Sequence, residues 1–317
     1  MKKALKWIGG ILGFLVVAAL AFYGWAAWKS SSIFDERFTI ADVDIPVPFP
    51  LGADEIAALP EGSDPDAVAL ERALERGRHL IEARYGCREC HGRNFGGGVM
   101  IDDGALGTLL GPNLTSGEGG LPDDYDISDW NRAVRHGVMP DGRGAVMPAE
   151  DHQRMSDQEL SDIVAYIGSL PPVDNEVAPI SFGPLGKILI ATGELPLPYY
   201  GIDHESGFPR FPPDTAPTVE FGRHLAGTCV GCHRHHLEGG PIIAGDPNWL
   251  PAANLTQIEW SFEEFDAAMR TMRRPDGSEI REPMSLMKPF AENMTEVEMR
   301  ALHAYISSLE DRPTPEG

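Results

Sequence analysis

The chain has 317 residues, of which 42% are hydrophobic, and its 48 acidic and 26 basic side chains give a formal net charge of −22. The length allows two small domains with connecting segments. The acidic excess argues against nucleic acid and anionic lipid as partners of the soluble part, and it either attracts a partner with a basic face or only keeps the protein soluble.

An uncharged run of 22 residues, Trp7 to Trp28, lies between Lys2, Lys3 and Lys6 on one side and Lys29 on the other. As a helix it would be roughly 33 Å long, which is enough to cross the hydrocarbon core of a membrane. Because the lysines cluster before the run, its first end is expected in the cytoplasm and the rest of the chain on the outer side.

A cleaved signal peptide is the alternative for this run. The apolar region of such a peptide normally has ~7–15 residues, followed by small residues at the cleavage site. The run is longer than that, and Trp25 and Trp28 stand near its end. We therefore expect residues 1–30 to form a cytoplasmic tip and a single-pass anchor in the inner membrane, with the rest of the chain on the periplasmic side. Under either hypothesis that rest lies outside the cytoplasm.

Two Cys-x-x-Cys-His motifs, Cys87 to His91 and Cys229 to His233, contain all four cysteines of the chain. This pattern is typical of c-type haem attachment. One helical turn places the two thiols beside the two vinyl groups of one porphyrin edge, and the next residue then lies under the iron as its proximal ligand. The motifs predict two covalent haems c, with the thioethers at Cys87, Cys90, Cys229 and Cys232 and the proximal iron ligands at His91 and His233.

Three other uses of these cysteines fit less well. Paired Cys-x-x-Cys zinc motifs usually lie some 15–20 residues apart, whereas 138 residues separate Cys90 from Cys229. A thioredoxin-like redox pair needs a βαβ context, which neither motif has. A structural disulfide within one motif would close a very short, strained loop.

The sequence around the two motifs repeats, which predicts two similar units of roughly 100 residues. The matched segments are Arg76–Leu80 with Phe221–Leu225, Pro112–Thr115 with Ala253–Thr256, Asn131–Gly142 with Asp266–Gly277, and the 16 residues from Met155 with those from Met294. The last segment of each unit begins with a capping box, Ser156 to Glu159 and Thr295 to Glu298, and continues with helical periodicity. Short helices with Gly- and Pro-rich loops and no strand alternation predict an all-α fold.

In this order of parts, each unit resembles a class I cytochrome c domain. The resemblance covers residues 69–173 and 215–311, and it extends to the membrane-anchored cytochrome subunits of periplasmic dehydrogenases and to respiratory dihaem cytochromes. The expected organisation is an anchor (1–30), an extracytoplasmic linker (31–68), cytochrome c domain 1 (69–173), a Pro-rich interdomain linker (174–214), cytochrome c domain 2 (215–311) and a tail (312–317).

The resemblance implies that a methionine completes the coordination of each iron. In the first unit we assign Met147, which precedes a proline as in the family; Met139 is the runner-up. The second unit has no Met-Pro pair. Measured from the shared Pro-Asp-Gly, Met284 lies nine residues and Met287 twelve residues beyond the proline, against seven for Met147. We assign Met284, with Met287 as its runner-up.

The proximal imidazoles need a hydrogen-bond partner on their second ring nitrogen. The resemblance implies the carbonyl of Pro112 for the first unit and that of Ala253 for the second. His79 and His224, matched in the repeat, are expected to cover the haem or to bond the backbone rather than to bind iron.

If both ligand positions of each iron are filled, the chain is predicted to carry electrons and not to be an enzyme itself. It would act alone or as a subunit of an oxidoreductase complex. It would relay electrons on the periplasmic side between a donor dehydrogenase or carrier and a respiratory acceptor. The alternative is an enzyme similar to dihaem cytochrome c peroxidases, which needs one haem open to peroxide. Methionine-bearing loops in both units favour the carrier.

Overall fold

The computed structural model describes residues 2–242 and 249–315. Its first element is the helix α1, Lys2–Phe34, which is longer than the uncharged run that predicted it. The part from Lys6 to Phe34 contains an 18-residue stretch with a mean hydropathy of 2.0 and is long enough to cross a membrane, properties that an anchor and a signal sequence share. The described chain therefore begins with one long apolar helix, as expected.

Two similar groups of helices follow, and the fold is mostly helical, as predicted. A short helix α2 (Ala53–Ala57) precedes the first group. That group consists of α3 (Pro65–Ala83), α4 (Cys87–His91), α5 (Ile127–His136) and α6 (Asp157–Gly168). The helix α7 (Pro184–Thr192) lies between the groups. The second group consists of α8 (Val219–Leu225), α9 (Val230–His233), α10 (Phe262–Thr271), α11 (Lys288–Asn293) and α12 (Glu296–Ile306).

A glycine lets the first and last helices of each group cross in close contact. A Cβ on Gly77 in α3 would lie 2.1 Å from the carbonyl oxygen of Asp162 in α6. A Cβ on Gly222 in α8 would lie 1.8 Å from the carbonyl oxygen of Ala301 in α12. These distances are far below a van der Waals contact, so the glycine shared by the two repeats is required by the helix crossing.

Both capping boxes form at the predicted positions. The backbone N–H of Glu159 donates to Ser156 Oγ at 3.2 Å, and the N–H of Ser156 donates to Glu159 Oε2 at 2.8 Å. Thr295 and Glu298 repeat these contacts at the start of α12. The three most buried hydrophobic side chains of α6, those of Leu160, Ile163 and Ile167, recur at the helical spacing that the sequence indicated.

A small antiparallel sheet accompanies the helices, an addition to the predicted fold. Its strands are β1 (Gly98–Asp103), β2 (Gly107–Gly111) and β3 (Ser181–Phe182), in that spatial order. The turn between β1 and β2 is held by Asp103, whose Oδ1 accepts the N–H groups of Ala105 and Leu106 at 2.8 Å.

The two segments predicted as linkers both pack on the first group of helices. From the first segment, Ile45 and Phe49 are buried in the core of this group, and Ser161 Oγ in α6 donates to the carbonyl of Pro46 at 2.6 Å. From the second segment, the carbonyl of Pro209 accepts the N–H of Asp157 at 2.9 Å. Both segments therefore contribute contacts to the first unit, and the first segment also contributes to its core.

Candidate functional site

The first Cys-x-x-Cys-His motif forms the short helix α4, which ends at a buried histidine. Its His91 donates from Nδ1 to the carbonyl of Pro112 at 2.9 Å, the partner that the resemblance implied. Burial lowers the pKa of His91, and the hydrogen bond to Pro112 opposes this shift. The ring is therefore neutral. Because Nδ1 carries the proton, Nε2 has a lone pair that can coordinate a metal.

The second motif repeats this geometry in α9. His233 is buried and donates from Nδ1 to the carbonyl of Ala253 at 2.8 Å. Burial again lowers the pKa of the histidine against the hydrogen bond. Alanine thus replaces proline without changing the contact, because the acceptor is a backbone oxygen.

None of the four cysteines is in a disulfide. Burial raises the pKa of Cys87 to about 12 and that of Cys229 to about 11. Among the described residues there is also no cluster of three or more His, Cys, Asp or Glu side chains suited to a metal ion. The described residues therefore offer no zinc site built from three or more such side chains.

In the first unit, Met147 and Cys87 both pack against one core cluster, which contains Phe95 and Trp130. Met139 is 40% exposed and lies in the turn closed by the hydrogen bond from Gly142 N to its carbonyl. The structure thus brings Met147, and not Met139, to the core beside the motif. The role of Met147 as iron ligand stays a prediction.

In the second unit, Met284 packs against a small buried cluster of Ala268, Met272 and Ile280. Trp260 contacts both this cluster and the core that Cys229 joins. Within the described residues, Met287 packs on none of the buried clusters. The contacts favour Met284, whose assignment also stays a prediction.

The side chains present fit a covalently bound haem c in each unit. Each motif offers two thiols one helical turn apart and a buried, neutral histidine with a free Nε2. The structure brings Met147 to the core cluster beside the first motif, and it brings Met284 to a small cluster that Trp260 joins to the core beside the second motif. His235 and His236, which follow the second motif, are exposed, so they do not compete for the iron.

The two units meet through a buried ionic cluster that sequence reasoning missed. His79 Nε2 lies 2.9 Å from Glu298 Oε1 of the other unit, and His224 Nε2 lies 2.8 Å from Glu159 Oε1. Arg84 donates to both carboxylates, at 2.9 Å to Glu159 and at 2.7 Å to Glu298. The expectation that these histidines bond the backbone is therefore wrong, because their Nε2 atoms bond carboxylates.

The two carboxylates of this cluster serve two purposes. Oε2 of Glu159 and of Glu298 accepts the capping hydrogen bonds, and Oε1 faces the other unit. Burial alone would raise the pKa of Glu298, but the hydrogen bond from His79 and the charge of Arg84 lower it to about 2. The capping-box pattern in the sequence predicted the role in helix capping. For the contact with the other unit, the sequence offered only the two histidines that match in the repeat.

Residues next to the two motifs line one narrow crevice at this interface. Tyr85 lies two positions before Cys87, and Thr228 lies directly before Cys229; both line the crevice together with Arg84. The two haem-attachment helices therefore begin close to each other.

Each unit also packs its methionine-bearing segment against the motif of the other unit. A Cβ on Gly231, inside the second motif, would lie 2.7 Å from Oδ1 of Asp151, four residues after Met147. A Cβ on Gly86, directly before the first motif, would lie 3.2 Å from Cζ of Phe290 in α11. The arrangement is reciprocal, as the repeat would suggest for two similar units face to face.

Two family descriptions match the chain. Residues 72–167 match the family described as "Cytochrome C oxidase, cbb3-type, subunit III", and residues 219–310 match the family described as "Cytochrome c". Together the matches include both motifs and both pairs of crossing helices.

The chain is similar to three cytochrome proteins of bacteria. A "Diheme cytochrome c-type" of Cereibacter sphaeroides is 25% identical over 79% of this chain and 90% of its own length. An "Alcohol dehydrogenase (quinone), cytochrome c subunit" of Gluconacetobacter polyoxogenes is 23% identical over 82% of this chain and 60% of its own length. A "Gluconate 2-dehydrogenase cytochrome c subunit" of Pantoea cypripedii is 32% identical over 37% of this chain and 26% of its own length. The chain thus spans less than two thirds of either dehydrogenase subunit.

Proposed function

The chain carries two cytochrome c domains in tandem, and from this premise we propose that it transfers electrons through two covalently bound haems c on the periplasmic face of the inner membrane. The observation that carries the proposal is the repeated site: a buried histidine held through Nδ1 by a backbone carbonyl, beside two thiols one turn away. The haem supplies one-electron chemistry at its iron.

The residues of the chain have three roles in this proposal. Cys87 and Cys90, and likewise Cys229 and Cys232, would hold each haem by thioethers. His91 and His233 would bind the iron through Nε2, in a ring orientation that the carbonyl partners hold. Met147 and Met284 would supply a thioether ligand, which would raise the reduction potential and leave no position for a substrate.

The interface supports electron exchange between the two haems within one chain. The residues before both motifs line the same crevice, and each methionine-bearing segment packs on the other motif. Haems held by the two motifs would therefore lie near the same interface, which would favour electron exchange between them. The buried cluster around Arg84 keeps the two domains in this arrangement.

The outer partners follow from charge and from the relatives. With a net charge of −22, the chain would attract a donor or acceptor with a basic face. Several relatives are cytochrome subunits of dehydrogenases, so we propose a dehydrogenase or its carrier as electron donor and a respiratory component as acceptor. The helix α1 would hold the chain at the membrane as its anchor.

The haem content of variants tests this function. The full-length chain, made in cells competent for cytochrome c maturation, should have the mass of the polypeptide plus two haems and keep both after denaturation. The double variant Cys87→Ala/Cys90→Ala should keep one haem, and so should Cys229→Ala/Cys232→Ala. A mass equal to the bare polypeptide would contradict the proposal.

A further inference from the structure

The helix α7 joins the long apolar helix to the first cytochrome c domain. It is apolar, with Lys187 as its one charged residue, and it packs against α1. In the described part of α1, the buried residues are Ala26 and Ser30, so the contact lies along the last turns of that helix. Small side chains at these two positions allow the helices to approach closely.

The same helix is fastened to the first domain. The N–H groups of Gly183 and Leu185 donate to the carbonyls of Leu106 and Ala105 at 2.9 Å. A Cβ on Gly186 would lie 2.2 Å from the carbonyl oxygen of Leu106. Because α7 touches α1 on one side and the β1–β2 turn on another, it forms a fixed joint between them.

The outward side of α7 remains apolar. Leu185 is 43% exposed, and Ile188 and Leu189 are half-buried. At the same level of α1, Trp25 and Trp28 are exposed. Aromatic side chains of this kind are enriched where a membrane-spanning helix meets the headgroup region.

Two lysines also lie near the junction of α1 and α7. After the uncharged run, the chain has three lysines, Lys29, Lys187 and Lys288. Lys288 lies beside Glu292, at 3.6 Å, in the second domain. The other two lie at the junction of α1 and α7, in a chain that is otherwise strongly acidic. A lysine at a bilayer surface keeps its stem in the apolar layer and its ammonium group in the headgroup layer.

We propose that α7 lies in the interfacial layer of the bilayer, with Leu185 in lipid, and thereby holds the first cytochrome c domain on the membrane in a fixed orientation. The inference rests on the proposed anchor role of α1. The lipid around α1 would also contact α7, because α7 packs on α1 at the end of the run that would span the membrane. The domain then does not swing freely on its anchor, and one face of it is turned to the membrane.

Spin labels at single positions test this proposal in the full-length holoprotein, reconstituted in phosphatidylcholine nanodiscs. The four native thiols are bound to haem, so one introduced cysteine is the labelled site. The test position is Leu185→Cys; Leu15→Cys in α1 reports on the anchor, and Val219→Cys in α8, which is similarly exposed at 46%, reports on the aqueous domain. Oxygen, which concentrates in lipid, and a water-soluble nickel chelate are the two relaxing agents.

The expected result is that the label at residue 185 resembles the label at residue 15, with a ratio of oxygen to nickel relaxation several-fold above that at residue 219. Two results would overturn the proposal alone: a ratio at residue 185 equal to that at residue 219 while residue 15 is in lipid, or protection of residue 185 from both agents, which would mean that protein covers α7. An aqueous label at residue 15 would overturn the anchor as well.

Discussion

Arg84 Nη2 lies 2.7 Å from Glu298 Oε1, although the two residues are 214 positions apart and belong to different cytochrome c domains. The same side chain donates to Glu159 of its own domain at 2.9 Å. Arg84 has no counterpart in the second domain, because eight positions separate His79 from Cys87 but only five separate His224 from Cys229. The longer stretch in the first domain thus supplies the shared cation of an otherwise reciprocal interface.

Replacing Arg84 with methionine should destabilise the protein. Both carboxylates are almost fully buried, and removal of their common cation leaves them incompletely paired, an effect of about 3 kcal/mol. Urea unfolding of the detergent-solubilised holoprotein, followed by circular dichroism, measures it. Arg78→Met is the matched control, because Arg78 makes an exposed pair with Glu82 on the same helix and should lose less than about 0.5 kcal/mol. Equal losses in the two variants would contradict the role given to Arg84.

The low pKa of Glu298 predicts an acid-sensitive interface. The pKa is lowered from 4.5 to about 2 in the folded chain. The carboxylate therefore binds a proton more readily in the unfolded chain than in the folded chain. The contribution of Glu298 to the free energy of unfolding is complete above about pH 4.5 and is lost as the pH falls towards 2. Glu298→Gln should flatten the pH dependence of the unfolding free energy in this window, whereas the exposed Glu296→Gln should not. An unchanged slope in Glu298→Gln would refute the assignment.

The close helix crossing in the first domain predicts opposite effects of two Gly-to-Ala substitutions. Gly77→Ala should lower the unfolding free energy by about 2–3 kcal/mol, because its Cβ meets the backbone of α6. Gly168→Ala, at the end of α6, has no atom within 4 Å of the new Cβ and should raise it by about 0.5 kcal/mol. Thermal unfolding of the two holoproteins gives the comparison. A neutral Gly77→Ala would mean that the helices are farther apart than described.

The methionine assignments predict which near-infrared signals are lost. Met147→Ala should remove about half of the absorption due to Met–Fe(III) coordination and lower the potential of one haem, because a soft thioether favours reduced iron. Met284→Ala should do the same to the other haem, and Met287→Ala should leave both signals intact. Loss of the signal in Met287→Ala, with retention in Met284→Ala, would reverse the assignment in the second domain.

Local rules were enough to predict the parts of the fold that depend on neighbouring residues. The capping residues Ser156 and Thr295 and the buried face of α6 follow from short-range patterns, and the structure has them as expected. The repeated glycine was visible in the sequence, but its reason, the helix crossing at Gly77, depends on a contact 85 positions away.

Contacts between distant segments were not predictable in this way. His79 and His224 stood out because they are matched in the repeat, yet their partners lie 219 and 65 positions away, and a sequence gives no direction for such a contact. The packing of the predicted linkers has the same cause: Phe49 was assigned to the extracytoplasmic linker, and only its contact with the core of the first domain explains its burial.

An optical redox titration of the full-length holoprotein in nanodiscs tests the central claim most directly. The account predicts that each chain takes up two electrons reversibly, one per haem, with both haems low-spin throughout and without binding carbon monoxide stoichiometrically when reduced. The variant Cys229→Ala/Cys232→Ala should take up one electron. A haem that is high-spin at neutral pH, binds carbon monoxide rapidly and turns over peroxide would contradict the account and indicate a peroxidase.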